Sequence, residues 1–321
     1  MPIPSTILVN AEFPEPLIDR IRQAAPEARV WSQAELHRAP EAWRSAEVLL
    51  THLVPKERLA EADALRWIQT LGAGVDWLLT PQVVARRELT ITNASGIHSD
   101  QIAEHSFMLM LAITRRLPSA LDLQRTSSWD AAPFRQSVPT LAGKTLGILG
   151  VGAIGERIAQ LAAAFRMRVI GLRRSGEPAP HVDQMYKPAE LPALLAQSQY
   201  LLNALPLTAQ TRGLVGAREL AQLPRGAVLV NIGRGPTFQS DAVVEALKTG
   251  QLGGAGLDVT DPEPLPAEHP LWRSNNVIIT PHYSGGRPGY LEHVTQIFLD
   301  NLARYRRGEA LRNVVDVSAG Y

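Results

Sequence analysis

The 321-residue chain carries Lys+Arg 32 against Asp+Glu 31, a formal net charge of +1, with 45% hydrophobic and 20% charged residues and no cysteine. This is globular composition, long enough for about two domains; the charge balance gives no support to a nucleic-acid or membrane-surface partner, and the absence of cysteine excludes disulfides, thiolate metal sites and cysteine nucleophiles. The opening MPIPSTILVN lacks a basic start and a long apolar stretch, and no apolar run approaches the ~20 residues of a membrane span, so a cytoplasmic setting is expected.

Short apolar runs alternate with amphipathic ones. TILVN (6–10) reads as a strand and PLIDRIRQAA (16–25) as a helix. EVLLTHL (47–53), RWIQTL (66–71) and LTITNA (89–94) read as further strands. A long helix is expected from about Ser99 to Leu117, capped by Ser99 or Asp100 and stopped by Pro118. The polar segment RTSSWDAAPFRQSVPTLAGK (125–144) reads as an irregular arm. A second βα series follows: strand TLGILG (145–150), helix IGERIAQLAAAF (154–165), strand RVIGL (168–172). YLLNAL (200–205), AVLVNIG (227–233), GAGLDV (254–259) and NVIITPH (276–282) look like later strands, and YLEHVTQIFLDNLARYRRG is the last helix. The pattern predicts an α/β protein with mostly parallel strands.

Gly150-Val151-Gly152-Ala153-Ile154-Gly155 sits between a strand and a helix. In a dinucleotide-binding turn the first glycine permits the tight turn, the second lets the backbone approach a pyrophosphate, and the third lets the helix pack on the sheet. The helix N-terminus favours the anion. About twenty residues on, NAD-binding units usually place an acid that grips the ribose hydroxyls. Here stand Arg173, Arg174 and Ser175. Either the arginines are solvated loop residues or they clamp the 2′-phosphate of NADP, which a carboxylate would repel and guanidinium forks match.

Three charged groups follow late strands: Arg234 in NIGRG, Glu263 in DVTDPEPLP and His282 in TPHYSG. Singly, each has an ordinary explanation as a surface or packing residue. Beside a nucleotide turn they match the needs of hydride chemistry on a 2-oxo acid. The substrate carboxylate wants a bidentate cation, for which Arg234 is the candidate. The carbonyl oxygen needs a positioned proton donor, for which His282 is suited near neutral pH. A carboxylate on the other ring nitrogen, that of Glu263, would orient the imidazole and favour its protonated form. HSDQIAEH (98–105) invites a metal reading, but adjacent Glu104 and His105 point apart on a helix and the spacing is not that of HExxH.

GVGAIG, LPLTAQTRGL, NIGRG, GLDVTDPEPLP and TPHYSG occur in this order. Together they resemble the D-isomer-specific 2-hydroxyacid dehydrogenase family, nearest its NADPH-dependent glyoxylate/hydroxypyruvate reductase-like branch. The resemblance spans almost the whole chain and is strongest from Gly72 to His282. It implies a Rossmann-type doubly wound domain over 101–282. A smaller flavodoxin-like α/β substrate domain would combine 1–100 and 283–321. It further implies that Arg234 binds and polarises the substrate, that His282 is the acid/base and that Glu263 pairs with it. Leu205, Pro206, Thr211, Ile232, Gly233 and Asp258 would flank the cofactor, Asp258 near the nicotinamide. Backbone N–H groups of Ala73, Gly74 and Val75, in LGAGVDWL, would cradle the substrate carboxylate. NADP(H) is the expected cofactor, a homodimer the expected assembly, and no metal is expected. Reduction of a small 2-oxo acid is preferred over two alternatives: a non-catalytic nucleotide-sensing regulator, and a formate- or phosphite-type dehydrogenase.

Overall fold

The computed structural model describes residues 4–135 and 138–321. The chain divides into two compact units. One comprises the residues up to Ile97 together with Arg287–Tyr321, the other His98–Gly286. No helix among the described residues is long and apolar enough to cross a membrane.

In the first unit, β1 (Thr6–Asn10), β2 (Arg29–Trp31), β3 (Val48–Thr51), β4 (Trp67–Thr70) and β5 (Thr90–Thr92) form a parallel sheet in the order β2-β1-β3-β4-β5. This is the flavodoxin-like order. β3 and β4 are buried throughout, as parallel strands covered on both faces must be. The helix Glu15–Ala24 starts directly after Pro14 and buries Leu17, Ile18 and Ile21 on one stripe. The helix Tyr290–Arg307 belongs to the same unit. Its Phe298 and Tyr305 stack on Trp67, with ring centroids at 5.1 and 5.5 Å. The Trp67 indole N–H donates to Thr92 Oγ1 (2.8 Å), whose hydroxyl reaches Gln69 Oε1 (2.7 Å), and Asn301 Nδ2 donates to the same oxygen (3.3 Å). These buried polar groups therefore satisfy one another and tie the last helix to β4.

In the second unit, β6 (Thr145–Leu149), β7 (Arg168–Leu172), β8 (Gln184–Tyr186), β9 (Tyr200–Asn203), β10 (Ala227–Asn231), β11 (Leu252–Leu257) and β12 (Val277–Ile279) run parallel in the order β12-β11-β10-β9-β6-β7-β8. Strand order reverses between β6 and β9, the Rossmann switch point, where ligands gather outside the carboxyl ends. Alternate strand residues serve opposite faces. Leu146, Ile148, Val169 and Leu202 pack with Phe107, Leu109 and Ile158 of two helices, while Leu149, Ile170 and Leu201 join Leu194, Leu220 and Val243 on the other side.

The structure departs from the sequence reading in three places. The helix from Ser99 stops at Thr114, and Arg116 takes a left-handed φ of 53°. Pro118 then lies in the first turn of a new helix, Leu117–Arg125, where the missing N–H costs nothing. The arm is thus irregular only beyond that helix, and its residues 136 and 137 lie outside the described residues. Two three-residue edge strands, β2 (RVW) and β8 (QMY), were not read from the sequence, because neither stretch contains a run of apolar β-branched residues.

Candidate active site

The glycine turn lies at the switch point of the second unit. Gly150 has φ +95°, and a β-carbon there would lie 2.9 Å from the Ala204 carbonyl carbon of the loop after β9. At Gly155 a β-carbon would strike the Gly150 carbonyl oxygen. Position 152 is different, with nothing within 4 Å of where a β-carbon would stand. Two glycines are therefore required by the protein's own packing, and the third leaves an open face at the start of the twelve-residue helix Ala153–Ala164. Ala153 is exposed and Ile154 partly so. An open cradle at a helix N-terminus fits a diphosphate.

Arg173 follows β7 and folds back toward this turn. Its Nη1 lies 3.5 Å from both the Val151 carbonyl oxygen and Glu156 Oε1, and Nη2 donates to the Pro178 carbonyl (3.3 Å). Arg174 and Ser175 are exposed, and the Ser175 hydroxyl accepts the Glu177 N–H (3.2 Å). Arg173 and the glycine turn are thereby brought together.

The loops after β9 and β10 are knitted by two buried asparagines. Asn203 Nδ2 donates to Asn231 Oδ1 (2.9 Å), Asn203 Oδ1 accepts the Leu205 N–H (3.1 Å), and Asn231 Oδ1 accepts the Gly233 N–H (3.2 Å). Pro206 and Thr211 brace the first loop, the Thr211 hydroxyl donating to the Pro206 carbonyl (2.6 Å). Ile232 and Gly233 are buried. Arg234 is partly exposed, its backbone carbonyl held by Asn231 Nδ2 (3.1 Å) and its Nη1 on the Gly233 carbonyl (2.9 Å). A β-carbon on Gly235 would collide with the Thr260 carbonyl, so the Arg234 loop lies directly on the loop that carries Glu263.

Glu263 and His282 meet. The His282 Nδ1 is 2.6 Å from Glu263 Oε1, with side chains 47% and 42% exposed. β11 and β12 are paired neighbours, so the loops that leave their ends share one edge of the sheet. His282 itself adopts φ 50°, in the left-handed region. An imidazole whose Nδ1 faces a carboxylate keeps Nε2 for another partner.

Asp258 directly follows β11 and is buried. Its side chain has no exposed surface. The carboxylate accepts the Thr280 hydroxyl (2.6 Å) and the N–H groups of Tyr283 (3.1 Å) and Ser284 (3.1 Å). These contacts hold it against the loop that follows β12. His105 Nε2 completes the group, 3.0 Å from Thr280 Oγ1 and 3.6 Å from Asp258 Oδ1. Burial pushes the His105 imidazole below the ordinary histidine value, with Asp258 opposing. Tyr283 packs edge-on against that ring at 5.0 Å.

HSDQIAEH is dispersed among separate partners: His98 Nδ1 contacts the Gly285 carbonyl (2.8 Å), Asp100 pairs with Arg157 (2.7 Å) and His105 goes to Thr280. His105 and Thr280 escape a sequence reading because 175 residues separate them. A histidine within a helix that is apolar over most of its length was the available signal.

In the first unit, the turn after β4 is held by its carbonyls. Gly72 O accepts the Ala94 N–H (3.1 Å) and Ala73 O accepts Asn93 Nδ2 (2.9 Å). Val75 is buried and Ala73 and Gly74 are partly exposed.

Residues 107–284 match the family described as D-isomer specific 2-hydroxyacid dehydrogenase, NAD binding domain. The chain belongs to this family. A glyoxylate reductase of Thermofilum pendens is 30% identical, covering 94% of this chain and 92% of the relative. Among solved structures, a D-isomer specific 2-hydroxyacid dehydrogenase family protein from Aeromonas salmonicida is similar with a TM-score of 0.84 and 35% identity, covering 98% of this chain and 99% of that one. An NADPH-dependent glyoxylate/hydroxypyruvate reductase from Sinorhizobium meliloti, solved in complex with NADP and sulfate, aligns with a TM-score of 0.86 at 28% identity over 99% of this chain and 100% of that one. As a 2-hydroxyacid dehydrogenase with a nicotinamide-binding domain, the protein takes a small-molecule substrate and a nicotinamide cofactor.

Proposed function

We propose that this dehydrogenase reduces a small 2-oxo acid of the glyoxylate or hydroxypyruvate type to the D-2-hydroxy acid with NADPH. The observation that carries the reading is the 2.6 Å pairing of His282 with Glu263, on a loop that abuts the one bearing Arg234. The bound nicotinamide supplies the hydride. Arg234 binds the substrate carboxylate and polarises the carbonyl. His282 donates its proton to the carbonyl oxygen as negative charge develops there. Glu263 orients the ring and balances its charge. Gly150, Gly152, Ala153, Ile154 and Gly155 would hold the cofactor's diphosphate, Arg173, Arg174 and Ser175 its 2′-phosphate, and Leu205, Pro206, Thr211, Ile232, Gly233 and Asp258 would flank it. Ala73, Gly74 and Val75 present backbone N–H groups to the substrate carboxylate. The glyoxylate reductase relative and the NADP-bound neighbour support this reading.

A panel of 2-oxo acids assayed with NADPH and NADH tests it. Turnover of glyoxylate or hydroxypyruvate is expected. No turnover of any 2-oxo acid would leave a nucleotide-sensing regulator, and turnover of formate or phosphite alone would name a different dehydrogenase.

Two substitutions probe the roles separately. Arg234→Lys replaces a planar fork by a point charge, and kcat/KM is expected to fall by about tenfold or more. The loss falls in KM if the contact serves binding alone, and in kcat as well if it polarises the carbonyl. An unchanged kcat/KM places Arg234 outside the site. Glu263→Gln keeps an acceptor near Nδ1 but removes its charge. A hydrogen bond to a charged group is worth about 1.5–3 kcal/mol, reduced here because both partners are half-exposed, so kcat is expected to fall by about tenfold. Parent-like kcat would separate Glu263 from the chemistry.

We also place contact with a second copy on the second unit, where exposed Met108, Leu117 and Leu121 adjoin Ala112 and Pro118. Sedimentation of the full chain is expected to give a dimer, and Leu117→Glu with Leu121→Glu a monomer.

A further inference from the structure

We propose that Asp258 is the positioning residue of His282, held in register by Thr280 and His105, so that the acid/base is presented by a carboxylate buried beneath its own loop. The proposal rests on the reading of His282 as the proton donor. Asp258 follows β11 directly. Its backbone carbonyl accepts the His282 N–H at 2.9 Å. Its carboxylate accepts the N–H groups of Tyr283 and Ser284, each at 3.1 Å. One residue thus fixes three consecutive peptide groups. That is what His282 requires, because its φ of 50° is a conformation a residue with a β-carbon keeps only where the surroundings over-determine it.

The carboxylate is in turn held from behind. The Thr280 hydroxyl donates to Oδ1 at 2.6 Å. Its single proton is spent there, so the 3.0 Å contact with His105 Nε2 needs the imidazole as donor. Burial favours the neutral ring that this Nε2–H tautomer demands. The chain of donors runs from His105 to Thr280 to Asp258, and Asp258 collects two amides on its far side. Side-chain surface is absent at Asp258 and nearly so at His105, so the group is shielded from water and its geometry is preserved. The same arrangement explains why the ring of His282 stands outward while its backbone is pinned: the anchor acts on N–H groups, leaving Nδ1 to Glu263 and Nε2 to the substrate.

Thr280→Val in the full-length protein removes the hydroxyl at nearly constant shape. Loss of a hydrogen bond to a charged acceptor is expected to lower kcat for 2-oxo acid reduction by about tenfold, with the NADPH Kd within about twofold of the parent. Amide exchange at Tyr283 and Ser284 is expected to accelerate by about tenfold through the same loosening. Thr280→Ser restores the hydroxyl and is expected to recover kcat to within about threefold. His105→Phe, which removes the donor behind Thr280, is expected to move kcat and exchange in the same direction as valine. If valine leaves kcat intact and weakens NADPH instead, Asp258 acts on the cofactor and the proposal falls. If serine fails to recover kcat where valine has lost it, packing and not the hydroxyl is responsible, and the proposal also falls. If the parent reduces no 2-oxo acid, the reading of His282 fails on its own. Amide exchange then still decides the clamp: protection at Tyr283 and Ser284 that valine abolishes supports it, and equal exchange in the two proteins overturns it.

Discussion

His282→Asn is expected to lower kcat for 2-oxo acid reduction by about 10²–10⁴ while NADPH binds nearly as before. Asparagine can still hydrogen-bond Glu263 and tolerates the left-handed backbone that His282 adopts at φ 50°, so the loop should keep its path. What it lacks is a proton to give. The cofactor's proposed contacts lie mainly at the glycine turn after β6 and beyond β7, on the other side of the sheet's switch point from the β11 and β12 loops. Binding and chemistry should therefore separate. NADPH fluorescence titration measures the first, and single-turnover reduction of glyoxylate the second. A variant that retains near-parent kcat removes His282 from the reaction.

Arg173→Asp combined with Arg174→Ala is expected to reverse the cofactor preference. A 2′-phosphate carries most of two negative charges near neutrality. Each hydrogen bond to it contributes about 1.5–3 kcal/mol, less for Arg174, which stands in solvent. The parent should thus favour NADPH over NADH in kcat/KM by roughly one to three powers of ten, and the preference should shrink with salt. Arg173 lies against the Val151 carbonyl and Glu156, so its guanidinium is already beside the phosphate turn. In the double variant NADPH loses that advantage, while the new aspartate can accept hydrogen bonds from free ribose hydroxyls. The kcat/KM ratio for the two cofactors at low and high salt decides the matter. A parent that prefers NADH shows that these arginines serve only the surface.

The α/β class and the family were legible in the chain itself. TLGIL, RVIGL, YLLN and AVLVN announce parallel strands because both of their faces are buried and the apolar run is unbroken. GVGAIG names its own turn, since Gly150 and Gly155 occupy places where the backbone leaves no room for a β-carbon. Local chemistry sufficed at Gly155, which answers to the Gly150 carbonyl five positions away, whereas the room at Gly150 is taken by Ala204 of the loop after β9. Local chemistry failed at Pro118, where a proline reads equally as the end of one helix or the first turn of the next, and the left-handed Arg116 decided for the latter. The Glu263–His282 pair was expected from its motifs, whereas the His105–Thr280 pair was decided by tertiary structure alone. Glu263 reaches His282 because β11 and β12 are neighbours in register, Leu257 opposite Ile279, which brings the loops beyond them to one edge. Asp258 meets its donors for the same reason. Its carboxylate follows β11 into the space behind the β12 loop, where Thr280, Tyr283 and Ser284 offer three donors, and a buried anion goes to the donors that replace its water.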